Sequence, residues 1–333
     1  MAAAARSPMI PPPHAPAFLA AHGWGGAEIA PLAGDASFRR YFRVRREADR
    51  AVLMDAPPPH EDVRPFMAVA AHLGARGFSA PRVLAADAAA GLLLLEDFGD
   101  ALVGPLLRSD AGQEEAIYGD AIALLAALGG APAPDDLAPY DRGVLLREAG
   151  LFTDWYAPAL SLDVDKAGFV AAWEAVLPAA EAPADPVLVL RDFHADNIML
   201  LERPGIARLG LLDFQDALAG HRAYDLVSLL QDARRDVSPA LEAAMLARYE
   251  ATSGPLDRAA YETLGAQRNV KILGIFTRLW KRDGKPTYLA LQPRVWGYLE
   301  RNLTHPALAP LADWFAANVP AEMRASAWGR ALG

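Results

Sequence analysis

Two short β-like runs, Val187 to Leu190 and Leu209 to Leu212, constrain the architecture of this chain more than anything else in it. Each ends abruptly in a polar segment that carries an aspartate: Arg191-Asp192-Phe193-His194-Ala195-Asp196-Asn197 after the first, Asp213-Phe214-Gln215 after the second. Their surroundings read as helix. Ile117, Ala121, Leu124 and Leu128 fall on one stripe, Phe169, Trp173, Val176 and Leu177 on another, and Arg268 to Arg282 continues the helical pattern. The two runs are therefore expected to pair as a hairpin within a mainly helical lobe, displaying polar groups at its strand ends.

The front of the chain has the opposite character. Phe38 to Val44, Ala51 to Met54, Val83 to Ala86 and Leu92 to Leu95 are rich in β-forming residues. A helical stripe of Phe66, Ala70 and Leu73 crosses between the second and third. The polar string Glu96-Asp97-Phe98-Gly99-Asp100 after the fourth reads as a hinge. The expected fold is α+β with two lobes: a disordered tail over 1–16, a small antiparallel β-rich N-lobe over 17–98 and a larger helical C-lobe over 99–333.

Composition removes several function classes. With no cysteine, disulfides, thiolate zinc sites and cysteine nucleophiles are out, and the seven histidines show no paired metal spacing. A net charge of −9 disfavours broad nucleic-acid or anionic-membrane binding. No apolar run reaches the roughly 18 residues of a membrane span, and the start carries no signal core, so a cytoplasmic, soluble protein is expected. There is no G-x-S-x-G elbow for a serine hydrolase.

What remains is the aspartate pattern. Asp192 and Asn197 are five residues apart after one strand, and Asp213 ends the next strand sixteen residues on. Phosphoryl transfer needs a carboxylate beside the attacking hydroxyl and hard oxygen ligands for magnesium on the phosphates, and these three residues supply them. A lone Asp or Asn after a strand more often caps a turn; three matched features on consecutive strand ends favour chemistry.

The arrangement resembles the catalytic and metal loops of the protein-kinase-like fold. The 191–197 segment, with His194 midway, is similar to the aminoglycoside and choline phosphotransferase branch. The resemblance implies that Asp192 orients the acceptor hydroxyl and takes its proton, that Asn197 and Asp213 hold magnesium, that His194 stabilises the loop, and that ATP is the donor. Asp97-Phe98-Gly99 spells the kinase metal triplet but precedes the catalytic loop by almost a hundred residues, so it fits a hinge whose backbone near Glu96 and Phe98 meets the adenine edge. Ser37, Phe38 and Arg39 occupy the place of the phosphate-covering loop. On the third strand, Val52-Leu53-Met54-Asp55, the usual lysine is missing, and no lysine precedes Lys166. An arginine of the second strand, Arg43 or Arg40, is expected to replace it; otherwise the chain is a weakened, non-catalytic nucleotide binder.

Asp35-Ala36-Ser37-Phe38-Arg39-Arg40-Tyr41-Phe42, Met54-Asp55-Ala56-Pro57-Pro58, Asp213-Phe214-Gln215-Asp216-Ala217 and Tyr224-Asp225-Leu226-Val227-Ser228-Leu229 resemble the anomeric amino-sugar kinases of cell-wall recycling. That resemblance, over roughly residues 30 to 300, implies phosphorylation of N-acetylmuramate or N-acetylglucosamine at C1. A related phosphotransferase acting on an aminoglycoside, choline or an amino-acid hydroxyl is the alternative. A sugar pocket wants an aromatic wall and a few polar groups, and Glu148 and Trp155 are the candidates, with Arg278 (beside Arg282) for a lactate carboxylate. Asp216 and Asp225 are read as structural bracing.

Overall fold

The computed structural model describes residues 9–32, 38–181 and 183–324. The first half of the tail expected over 1–16, and the Gly34 to Ser37 turn, lie outside them. From Ala15 the chain is already helix, because Ala15, Phe18 and Leu19 have an apolar surface to cover.

The chain divides into two compact units, one comprising Met1–Ala101 with Met199–Asp216, the other Leu102–Ile198 with Ala217–Gly333. In the first, helix α1 (Ala15–Ala21) precedes strands β1 (Glu28–Pro31), β2 (Arg40–Arg46) and β3 (Asp49–Asp55); helix α2 (Arg64–Ala75) leads to β4 (Val83–Asp87) and β5 (Leu92–Glu96). The five strands form one antiparallel sheet in the order β1-β2-β3-β5-β4. Alternation sets its faces. Phe42, Val44, Ala51, Leu53, Leu92 and Leu94 point one way, onto Phe18 and Leu19 of α1. Arg43, Val52 and Met54 belong to the opposite face by the same period.

The second unit is helical. Its elements begin with α3 (Val103–Ser109), α4 (Glu114–Leu128), α5 (Arg142–Ala149), the single turn α6 (Ala157–Ala159) and α7 (Lys166–Val176). Strand β6 (Val187–Val189) then enters the catalytic segment; β7 (Ile198–Leu200), from Met199 on, and β8 (Leu209–Leu211) belong to the first unit, and the chain re-enters the second at Ala217, before β9 (Leu218–Gly220). Helices α8 (Ala223–Leu230), α9 (Pro239–Ser253), α10 (Arg258–Lys281), α11 (Gln292–Asn302) and α12 (Ala309–Asn318) complete it.

The hairpin expected between 187–190 and 209–212 does not form. Strand β6 pairs with β9 and β8 pairs with β7, so the two runs close on different partners rather than on each other. Three-residue strands carry too little alternation to select a partner; local chain geometry does so instead.

In the second unit, α10 is the central element, with buried side chains along nearly its whole length. It passes very close to the segment after α5: a Cβ at Gly274 would sit 2.5 Å from the Leu151 carbonyl, so only glycine allows the approach. That segment continues as a π-helical turn, Phe152–Tyr156, where Phe152 stacks on Tyr156 with ring centroids 4.6 Å apart. Trp296, Phe315 and Phe169 close around the pair.

Candidate active site

In the second unit the site grows from the end of β6. Arg191 follows the strand in the left-handed region, φ 71°, which costs a non-glycine residue roughly 1–2 kcal/mol and needs external support. Asp225 of α8 supplies it, accepting the N–H groups of Leu190 (2.7 Å) and Arg191 (2.9 Å), while the Ser228 hydroxyl donates to the Arg191 carbonyl (3.1 Å). Burial pushes the Asp225 carboxyl up to about 7, against the pull of those two N–H donors. Its expected bracing role is therefore specific: it holds the backbone that aims the next residue.

That residue is Asp192, whose side chain is about half exposed at 48%. Burial of part of the group would raise its pKa, but the charges of Lys271, Arg268 and Arg191 outweigh this and hold the carboxyl below its usual range. The Arg268 guanidinium lies 4.0 Å away. A carboxylate kept ionised and aimed by its backbone can orient a hydroxyl and receive its proton, the lowered pKa making it a weak rather than a strong base. The Asn197 side chain donates to the Asp192 carbonyl (3.0 Å), closing the loop on itself. His194 is buried, and its Nε2 accepts from Arg234 at 2.9 Å, which places the ring proton on Nδ1. Burial first, then Arg234, keep the imidazole neutral, well below its ordinary pKa. At Gly104 of α3 a Cβ would overlap the Asp196 carboxylate at 1.8 Å, so glycine lets that helix press against the loop.

Glu148 sits in the middle of a charged cluster. It pairs with Arg191 and with Lys271 (3.1 Å), accepts from the Tyr140 hydroxyl (2.5 Å), and meets Gln267 at 3.5 Å. Burial would raise its carboxyl, but Lys271, Arg191 and Tyr140 hold it below the usual range. Lys271 and Arg268, spaced i, i+3 on α10, were missed in the sequence, where they read as ordinary helix charges. Trp155 is half-exposed on the π-helical turn, whereas its neighbours Phe152 and Tyr156 are buried. Arg278, further along α10, makes no ion pair among the described residues, its Nε is buried without a partner there, and burial and Arg282 both lower its pKa.

The first unit holds the other candidates. Asp213 follows β8 with φ 57°, a second strained backbone at a candidate site residue. Its Oδ1 accepts from Gln215 (2.8 Å) and from Arg39 Nη2 (3.1 Å), and Arg39 Nη1 lies 3.8 Å from Glu61. Phe38 is exposed and stacks on His60, centroids 4.7 Å apart; Ser37 lies outside the described residues. Arg43 has other partners. It binds Asp97 (2.8 Å), Asp100 (2.8 Å) and the Gly99 carbonyl (3.0 Å), bracing the 97–100 segment, while Arg40 pairs with Asp55. The side chains of Glu96 and Phe98 are likewise engaged, by an ion pair to Arg203 (2.6 Å) and by the Arg203 guanidinium over the Phe98 ring (5.2 Å).

The donor chemistry suits magnesium. Asn197 would offer an amide oxygen and Asp213 a carboxylate, both hard ligands, and magnesium commonly uses one or two carboxylates plus substrate phosphates. Among the described residues no group of three or more His, Cys, Asp or Glu side chains converges as a self-contained cage.

A family model described as "Phosphotransferase enzyme family" matches residues 28–264. The chain belongs to that family. Proteins named N-acetylmuramate/N-acetylglucosamine kinase are similar over nearly their full length. That of Caulobacter vibrioides is 42% identical, covering 92% of this chain and 96% of the relative, and that of Pseudomonas aeruginosa 39%, covering 90% and 92%. Among solved structures, choline kinase LicA from Streptococcus pneumoniae superimposes with a TM-score of 0.60 at 12% identity, over 85% of this chain and 93% of that one. The gentamicin complex of the aminoglycoside phosphotransferase APH(2")-IIa gives 0.59 at 15% identity, over 90% and 99%. The fold is that of the protein-kinase-like phosphotransferases, an antiparallel β-sheet region followed by a helical one. No helix among the described residues is long and apolar enough to cross a membrane.

Proposed function

We propose that this protein transfers the terminal phosphoryl group of ATP to the anomeric C1 hydroxyl of N-acetylmuramate or N-acetylglucosamine, in peptidoglycan recycling. The observation that carries the chemistry is Asp192, a half-exposed carboxylate held ionised at the end of a strained, braced loop. The choice of sugar rests on the similarity to kinases of that name.

In this reading Asp192 takes the proton of the C1 hydroxyl as that oxygen attacks the terminal phosphorus. The new O–P bond forms, the bond from phosphorus to the bridging oxygen breaks, and ADP leaves. Asn197 and Asp213 would hold magnesium, which when bound would neutralise charge on the phosphates. The backbone around Glu96 and Phe98 reads the adenine edge, their side chains being held by Arg203; Phe38 and Arg39 serve the phosphate side. Arg43 serves the nucleotide indirectly, by fixing the 97–100 segment.

On the sugar side, Trp155 offers an aromatic face to the ring, and Arg278, lacking an ion pair of its own, suits the lactyl carboxylate of N-acetylmuramate. Glu148 acts through Lys271 and Arg191, which it holds beside Asp192. The test is ADP release with a panel of amino sugars, aminoglycosides and choline. Turnover only with the amino sugars, reduced ~10²–10⁴-fold in Asp192→Asn, is expected. Turnover on choline or an aminoglycoside alone would overturn the substrate assignment.

A further inference from the structure

The sheet lacks the lysine that kinases of this fold place on the third strand, and its arginines are divided between other tasks. Arg40 pairs with Asp55, and Arg43 is bound on three sides by Asp97, Gly99 and Asp100. Arg39 is placed differently. Its guanidinium is only 10% exposed and bridges two carboxylates, Asp213 through Nη2 at 3.1 Å and Glu61 through Nη1 at 3.8 Å. The residues just before this pair are fastened to each other as well, since Phe38 stacks on His60. Ring stack and ion pair together staple the start of β2 to the turn before α2, and this gives the exposed Phe38 ring a structural reason.

From this geometry we infer that Arg39 replaces the missing lysine: it is the resident counter-ion of Asp213 and becomes a ligand of the nucleotide's phosphates once a divalent cation takes its place on that carboxylate. The inference rests on the reading of Asp213 as a metal ligand. Its physical basis is the fork of the guanidinium. One arm stays on Glu61, which fixes the charge near Asp213, and the arm released from Oδ1 is left facing whatever anion arrives with the metal. A lysine carries a single point charge and cannot divide its donors in this planar way. The arrangement makes Arg39 and the divalent cation competitors for Asp213, while Arg39 and the phosphates attract each other.

Those two relations have opposite signs, which is what the experiment reads. Binding of ADP to the full-length protein is measured by calorimetry at saturating Mg²⁺, and binding of Mn²⁺ to the nucleotide-free protein by electron paramagnetic resonance, in wild type, Arg39→Gln, Arg39→Lys and Asp213→Asn. Arg39→Gln is expected to weaken ADP binding in Mg²⁺ about ten- to a hundred-fold, the range of a lost charge-assisted hydrogen bond, and at the same time to tighten Mn²⁺ binding. Arg39→Lys keeps the charge and is expected to recover part of the ADP affinity, which a merely misfolded variant would not do. ADP affinity of Arg39→Gln in Mg²⁺ equal to wild type, or Mn²⁺ binding no tighter than wild type, would overturn the inference. If Asp213→Asn binds Mn²⁺ as well as wild type, the metal-ligand reading beneath it fails instead, so the two failures are told apart.

Discussion

Replacing Arg268 by methionine probes the electrostatics under the catalytic loop. The arginine side chain is 3% exposed and lies 4.0 Å from Asp192, and its charge also acts on the buried carboxyls of Asp225 and Asp232. Methionine fills similar space and removes the charge. At 4.0 Å and an effective dielectric near 20, one such pair amounts to about 4 kcal/mol, within the ~3–5 kcal/mol seen when a buried pair loses one partner. Water screens the half-exposed Asp192, which lowers the figure, whereas Asp225 and Asp232 are shielded; about 3 kcal/mol is therefore expected. For a unit of 150–250 residues each kcal/mol corresponds to ~2–4 °C, giving a fall in Tm of ~6–12 °C. Tryptophan fluorescence follows it, since Trp173 and Trp296 are fully buried in this unit. The catalytic rate should fall on the order of tenfold or more as Asp192 loses its setting. Adding Asp232→Asn should recover part of the stability, because one stranded carboxylate is gone. A variant that melts within a degree of wild type and turns over normally would refute the reasoning.

Two further outcomes are expected. Glu148→Gln tests the charged cluster through pH: the folded carboxyl lies below its unfolded value, so its contribution is fully present above about pH 4.5 and lost as pH falls through the folded pKa. Urea midpoints of wild type and Glu148→Gln should therefore converge below pH 4.5, and a gap independent of pH would contradict the cluster. Arg43→Met should loosen the 97–100 segment and raise the nucleotide Kd about tenfold, with kcat near wild type at saturating ATP; a fall in kcat at unchanged Kd would put Arg43 on the phosphates.

How much of this was legible in the sequence depended on distance along the chain. The 191–197 segment and Asp213 announce themselves because their partners are local or end a recognisable strand, and the β-rich front and helical back follow from periodicity over many residues. Lys271 and Arg268 do not: they meet Glu148 and Asp192 from across the chain, and a buried helix arginine has the same letter as an exposed one. Their i, i+3 spacing within the long buried face of α10 was the only local sign. The partners of Arg43 were hidden for a related reason. Alternation puts it on the face opposite Phe42 and Val44, but which acids wait there is decided by β5 and the turn after it. The partner of β6 was illegible because three residues carry almost no pattern.

The most direct test of the central claim is where the phosphate ends up. N-acetylmuramate and N-acetylglucosamine are incubated with ATP, magnesium and the full-length protein, and the product is followed by ³¹P and ¹H NMR. The account predicts a phosphorus coupled to the anomeric proton, formed with one ADP per sugar and lost in Asp192→Asn. Phosphate on any other oxygen, or the same product at the wild-type rate from Asp192→Asn, would contradict it.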